Sequence, residues 1–411
     1  MGSRERWPTV PLGTLAEFRN GVNYNKANFG TGIKLIGVSD FQDHVRASFD
    51  QLEQINPEGV VRKGHLLRDG DILFVRSNGN RDLIGRSLFV SGLRENVTHS
   101  AFSIRLRFAS SQCCPRFYAY LFRSALIRHA LSMFGGGTNI SNLNQGILER
   151  LEVPLPAKPT QERIASILSA YDDLIDNNTR RIRVLEDMAQ MLYREWFVNF
   201  RFPGHEKVRM VESDLGLIPE GWAMKTLGEL AHITMGQSPP SESYNTVGTG
   251  LPFHQGVTDF GARFPSDRTY CTIENRLAEP QDILMSVRAP VGRLNISTEK
   301  IVIGRGLCAI RSELDSQAIL FQQLREHFRE EDTMGSGTIF KAVTKQDVYG
   351  IKFIRADAKV AARLESWLRP LFRHVEVLSS KNINLRTTRD LLLPRLISGE
   401  IPIEAAAELV E

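Results

Sequence analysis

The sequence is short of nearly every signature that would place chemistry within the chain. Four cysteines, Cys113, Cys114, Cys271 and Cys308, occur in 411 residues. None is in CxxC spacing or near a histidine, which points to reduced structural thiols and away from a zinc site. No apolar run approaches the roughly 18 residues of a membrane span and no signal-peptide pattern occurs, so a cytoplasmic protein with no membrane partner is expected. A G-x-x-x-x-G-K-[S/T] phosphate loop is missing, and the glycine clusters Gly135–Gly137 and Gly304–Gly306 lack the strand–GxGxxG–helix setting of a nucleotide fold. There is no [D/N]-P-P-[Y/F] run of an amino-methyltransferase, and Ser238-Pro239-Pro240-Ser241 does not substitute for one. H-E-x-x-H is absent and the nine histidines are scattered. Asp172-Asp173 and Glu330-Glu331 read as solvated helix charge rather than acid/base pairs. The net charge of +4 is modest and not gathered in one tail; it permits nucleic acid as a partner without arguing for it. No catalytic, cofactor-binding or metal-ligating residue is therefore expected.

What is present is a heptad seam. From Pro159 to Val198, the positions Ile164, Leu168, Tyr171, Ile175, Asn178, Ile182, Leu185, Ala189, Leu192 and Trp196 alternate in steps of four and three. Thr160 is a plausible N-cap, with Arg163 where a capping box would carry Glu or Gln. A helix of this length, ~57 Å at ~1.5 Å per residue, needs a partner along its narrow apolar stripe. Asp357–Leu396 offers one, with Leu364, Leu368, Leu371, Val375, Leu378, Asn382, Leu385, Arg389, Leu392 and Leu396 in the same rhythm. Arg389 fits a buried position poorly, and Pro370 and Pro394 are expected to kink or end this helix. In an antiparallel pair Ile164 would face Leu396, Trp196 would face Leu364, and Asn178 would face Asn382. A buried amide pair would fix register at some cost in stability; the alternative is two asparagines on solvated faces.

The segments that precede the two helices are copies of one another. Trp7, Leu12, Gly13, Leu15, Ala16 and Gly21 match Trp222, Leu227, Gly228, Leu230, Ala231 and Gly236. Gly70-Asp71-Ile72-Leu73 ahead of Val75-Arg76 resembles Gln281-Asp282-Ile283-Leu284 ahead of Val287-Arg288, and Gly135-Gly136-Gly137-Thr138 recurs as Gly335-Ser336-Gly337-Thr338. Landmarks repeated in one order mean a tandem duplication of a domain plus a helix. Strands are expected at Ile72–Val75, Ser87–Val90, Phe102–Leu106, Ile283–Val287 and Ile301–Ile303, and helices at Phe117–Met133 and Ser316–Phe328. Asn199–Gly221, with Pro203 and Pro219, reads as a non-helical crossover.

Each copy carries polar and basic residues in expected loops. In the first these are Arg76, Ser77, Asn78, Asn80, Arg81 and Arg86, then Asn139, Ser141, Asn142 and Asn144. The second has Arg288, Arg293 and Arg305, then Thr338, Lys341 and Lys345. Arginine and lysine contact phosphates or guanine edges, and asparagine can bind adenine bidentately. Singly each suits an ordinary polar loop; as two sets in a duplicated scaffold they resemble reading heads.

Five strings carry a family resemblance over essentially the whole chain: WPTVPLGTLAEF, LPAKPTQERIASILSAYDDLIDNN, MAQMLYREWFVNF, LGLIPEGW and LRTTRDLLLPRLISGEI. The chain resembles the specificity (S) subunits of type I restriction–modification systems. That resemblance implies an α+β or α/β fold in which two similar target-recognition domains are separated by long antiparallel coiled-coil helices in a pseudo-two-fold repeat. The expected division is recognition domain 1 at 1–157, spacer helix 1 at 158–200, linker and recognition domain 2 at 201–356, and spacer helix 2 with a tail at 357–411. The implied partners are double-stranded DNA, two methyltransferase (M) subunits and restriction (R) subunits. S-adenosylmethionine, ATP and Mg would belong to those partners and not to this chain. Pro370 departs from an uninterrupted second helix. Two rival readings are a self-contained DNA methyltransferase or nuclease and a coiled-coil scaffold without a DNA target.

Overall fold

A computed structural model describes residues 7–41, 45–77, 83–133, 142–213, 216–333 and 343–403. The chain divides into two compact units, Met1–Asn178 with Ser380–Glu411, and Thr179–Ser379.

The first unit is built on a four-stranded antiparallel sheet in the order Ala16–Asn20, Ser103–Phe108, Ile72–Val75, Ser87–Phe89. Alternation along Ile72–Val75 sends Ile72 and Phe74 to one face and Leu73 and Val75 to the other. The first face packs on Phe117, Tyr118, Leu121, Ile164 and Leu168, the second on Ile36, Phe41, Leu88 and Val97. Each such side chain contributes about 1.5–3 kcal/mol on burial, so both faces are structural. A smaller sheet sets Phe29–Ile36 between Glu53–Ile55 and, in parallel, Val97–His99. The expected helix Phe117–Met133 is two helices, Pro115–Leu121 and Ala125–Met133. Pro115 opens the first, where a missing N–H costs nothing, and between them the Ser124 hydroxyl donates to the Leu121 carbonyl at 2.6 Å.

The second unit repeats this pattern. Ala231–Met235, Leu307–Ser312, Ile283–Ser286 and Leu294–Ile296 form the antiparallel sheet in the equivalent order. Leu251–His254 runs parallel to Ile301–Ile303 as Phe29–Ile36 does to Val97–His99. Thr9–Pro11 with Glu152–Pro154 corresponds to Ala223–Thr226 with Lys352–Arg355. The helix Gln317–Thr333 covers the sheet through Leu320, Phe321 and Leu324.

Both units also contain antiparallel lengths of the two long helices, Lys158–Tyr193 and Ala358–Ile397. None of the twenty seam positions read from the sequence is exposed. In the first unit Asn178 Nδ2 donates to Asn382 Oδ1 at 2.9 Å with both side chains buried, and Asn382 Nδ2 reaches the Ile175 carbonyl at 3.4 Å. Ile164 and Leu396 share one core cluster there. In the second unit Trp196 and Leu364 share another, and Trp196 meets Trp367 edge-on at 5.2 Å between ring centres.

Four expectations need correction. The second helix runs through both Pro370 and Pro394. Both prolines lie on its exposed side, where a carbonyl that loses its N–H partner is open to water. Thr160 lies inside the first helix, which starts at Lys158, so it is not the N-cap. Beyond Tyr193 the helix widens into a π-type turn at Arg194–Val198, and the linker that follows includes the hairpin of Met210–Ser213 with Gly216–Pro219. Asp172, expected to be solvated, is buried. It accepts from Arg389 Nη1 at 2.5 Å and from the Tyr120 hydroxyl, and Arg46 pairs with Asp173 at 2.7 Å. The awkward arginine in the seam is thus half of an ion pair whose other half sits on the facing helix. Burial and then the Asp172 charge push the Tyr120 hydroxyl's pKa up, so it stays a donor.

Candidate nucleic-acid interface

In each unit, one end of the four-stranded sheet gathers the turns that the sequence singles out. A glycine starts the construction. Gly21 donates to the Ser103 carbonyl at 3.2 Å, and a Cβ there would lie 2.2 Å from the His99 oxygen. Gly236 donates to the Leu307 carbonyl at 2.9 Å, and its Cβ would lie 2.1 Å from the Gly304 oxygen. Any side chain would push the first strand away from the turn beside it.

That turn, Ser100–Phe102 in the first unit and Gly304–Gly306 in the second, holds the next segment. Arg76 N donates to the Phe102 carbonyl at 2.7 Å, and Leu143 N donates to the Arg76 carbonyl at 2.9 Å. In the second unit Val287 N donates to Gly306 at 2.9 Å, and Val343 N donates to Val287 at 3.0 Å. Arg76 therefore corresponds to Val287 and Ser77 to Arg288. The sequence alignment of Val75-Arg76 with Val287-Arg288 is out by one residue, because the short strings fit either register and only the hydrogen bonds choose.

A second turn matches more closely. Gly85 N donates to Val75 and Val75 N to Arg86, both at 2.9 Å. Gly292 N likewise donates to Ser286 at 3.0 Å and Ser286 N to Arg293 at 2.9 Å. Both glycines have φ +79°, a left-handed conformation that other residues rarely adopt. The duplicated fold thus sets Arg86 and Arg293 on equivalent glycine turns, Arg86 half-buried and Arg293 exposed.

The remaining candidates surround these turns. Arg76 and Ser77 are half-exposed, while Asn142, Asn144, Arg288, Arg305 and Lys345 are exposed. Two of them also hold local structure: the Asn144 carboxamide oxygen accepts from Ile147 N at 3.0 Å and caps a short helix, and the Lys345 ammonium lies 5.0 Å from the Tyr349 ring centre. Next to Asn144, Gln145 Nε2 donates to Asn20 Oδ1 at 3.1 Å, which ties this loop to the first strand. Asn78, Asn80, Arg81, Asn139, Ser141, Thr338 and Lys341 lie outside the described residues, as do Gly135–Gly137. Sequence reading missed Phe102, which is 58% exposed at the tip of its turn and offers an apolar face for a base or a thymine methyl.

Among the described residues no cluster of His, Cys, Asp and Glu could hold a metal ion, and no helix is long and apolar enough to cross a membrane. Twin units, each presenting basic turns on one sheet end and sharing paired helices, define the class of duplicated recognition scaffolds. Residues 4–187 match the family model of the type I restriction modification DNA specificity domain. The chain is 31% identical to a putative type I restriction enzyme MjaX specificity subunit of Methanocaldococcus jannaschii, over 97% of this chain and 95% of that protein. It is 23% identical to the HindI specificity subunit of Haemophilus influenzae, over 82% and 87%. A crystal structure of the type I system S subunit from M. genitalium shares the fold, with a TM-score of 0.58 at 15% identity over 96% of this chain and 97% of that one. The chain belongs to the specificity subunits of type I restriction–modification systems, and its function is recognition of a DNA target.

Proposed function

We propose that each unit reads one half of a bipartite DNA target, through the major groove, with the turns at its sheet end. The observation that carries this reading is the twinned placement of Arg86 and Arg293 on matching glycine turns. Arginine is suited to bidentate contact with guanine and to phosphate, and a fold that twice sets it on a left-handed glycine turn supports use of that position. The long helices would fix the unread gap between the half-sites.

In this reading the chain is non-catalytic and works in the cytoplasm. Two methyltransferase subunits bring S-adenosylmethionine and modify a flipped-out adenine, and restriction subunits bring ATP and Mg. Val184, Met188 and Met191 are exposed along one face of the first long helix within the second unit, and adaptable apolar side chains in such a row suit a docked subunit.

The test is adenine-methylation sequencing in cells that carry the assembled system. Arg86→Ala relaxes preference in one half-site and Arg293→Ala in the other, each by about 1–3 kcal/mol at the affected base pair. Equal loss in both halves from either variant defeats modular reading. Saturable S-adenosylmethionine binding by the isolated chain would revive a self-contained enzyme.

A further inference from the structure

The first unit contains a cavity of about 850 Å3 along the strands Ala16–Asn20 and Ser103–Phe108. Arg19, Arg68, Arg105 and Arg107 line it. Arg19 and Arg105 are direct cross-strand partners. Like charges opposite one another in a sheet destabilise it, so the arrangement costs stability unless something offsets it.

The second unit separates the structural part of this cluster from the rest. Arg107 donates through Nε and Nη2 to both oxygens of Asp71 at 2.7 Å, and in the second unit Arg311 Nε donates to Asp282 at 2.6 Å. That pair is part of the duplicated fold. The other three arginines are not, because sheet register puts Thr234 opposite Ala309 where the first unit has Arg19 opposite Arg105. Glu279 takes the place of Arg68, since each donates its backbone N–H to the matching aspartate, at 2.8 Å and 2.7 Å. The same fold is therefore built without three of these four positive charges.

Among the described residues no carboxylate forms an ion pair with these three. Among the described residues neither Arg19 nor Arg68 forms an ion pair, and the exposed Glu17 and Glu149 that also line the cavity pair with none of the arginines. Arg105 is buried; its Nη1 donates to the Gly64 carbonyl at 2.9 Å and its Nε has no partner. Arg19 folds over the same glycine, where a Cβ would fall 1.4 Å from its Nη1. Burial, and then the Arg107 charge, holds the Arg105 guanidinium below its ordinary pKa, against the opposing pull of the Asp71 and Glu17 carboxylates.

We propose that Arg19, Arg68 and Arg105 form a phosphate-binding site particular to the first unit, occupied by a backbone phosphate of the bound DNA. The choice of DNA as the source rests on the reading of the sheet end as a DNA interface: Arg19 is next to Asn20, the residue bonded to Gln145 in that interface. Guanidinium forks match phosphate oxygens in geometry and charge. A phosphate contact here positions the duplex without specifying its sequence.

The test compares the full chain with Arg19→Ala/Arg68→Ala, both exposed positions, and with Arg105→Ala, the residue that the second unit carries. Thermal unfolding is followed with inorganic phosphate at tens of millimolar against chloride at equal ionic strength. Phosphate raises the Tm of the unaltered chain and has little effect on either variant; an equal response in all three overturns the site. Duplex binding by the assembled complex is then measured against salt. The double variant binds target and non-target DNA more weakly by a common factor, and its log K–log salt plot is shallower by about 2. An unchanged slope overturns the DNA source, and phosphate protection would then assign the site to a free phosphate. If the unaltered complex binds no duplex at all, the DNA reading fails while the phosphate measurement still decides the site.

Discussion

Replacing one member of the buried asparagine pair tests how the helices are held in register. Asn178 and Asn382 are 7% and 4% exposed, and their amides meet at 2.9 Å. In Asn178→Leu the Asn382 carboxamide oxygen loses the Asn178 amide as donor, and the 3.4 Å contact to the Ile175 carbonyl cannot replace it because Asn382 makes that contact with its nitrogen. Losing a buried hydrogen bond between side-chain amides in this way costs about 1–3 kcal/mol. At about 2–4 °C per kcal/mol for a unit of this size, the Tm falls by roughly 2–12 °C. Asn382→Leu strands the Asn178 amide at similar cost. In the double variant no amide remains and two leucines fill a leucine-rich seam, so stability returns to the starting value or exceeds it, with a coupling of about 2 kcal/mol or more. Thermal or denaturant unfolding of the four proteins in a double-mutant cycle measures this. Additive losses would show that the amides are not partners and would refute the register argument.

Two further outcomes are expected. Burial, followed by the Arg105 charge, holds the His99 pKa down at about 3, so below pH 6.5 the unfolded chain takes up a proton that the folded chain refuses. Stability is therefore fully present above pH 6.5 and falls, by up to ~1.4 kcal/mol per pH unit, from there down to about pH 3; His99→Gln should flatten this slope, and an unchanged slope in unfolding curves would rule His99 out as its source. Inserting seven residues into both long helices adds about 10.5 Å of helix, which at ~3.4 Å per base pair lengthens the unread gap by roughly three base pairs; methylation sequencing showing an unchanged gap would end the proposed ruler.

The sequence shows most plainly what depends on local periodicity. The four-three rhythm locates both helices, and the two asparagines that interrupt it are the residues that pair. What stayed hidden depends on partners far away in sequence. Arg389 looks wrong for a seam until Asp172 is set across from it, and Asp172 looks like surface charge until Tyr120 and Arg389 are packed on it. Pro370 and Pro394 fail as stop signals because propensity says nothing of which helix face meets solvent, and an exposed proline costs least. For the interface, Arg76, Arg86, Arg288 and Arg293 were legible as loop residues. Their equivalence was not, since only the paired hydrogen bonds at Gly85 and Gly292 identify Arg86 with Arg293.

The duplication also indicates which residues serve the fold and which do not. A feature kept in both units is accounted for by the shared architecture, as with Gly21 and Gly236 at the close approach, or the Arg107–Asp71 and Arg311–Asp282 pairs on the sheet. A feature that opposes stability in one unit and is absent from the other needs a separate cause. Arg19 opposite Arg105 is such a case, because Thr234 opposite Ala309 shows that the register tolerates neutral residues. The candidate turns fall between these extremes: their glycine geometry is common to both units, while the side chains around it differ, Phe102 against Gly306 and Arg76 against Val287. A scaffold that holds turn geometry constant and varies what the turn carries suits the proposed reading of two half-sites, and the turns can differ without disturbing a core built alike in both units.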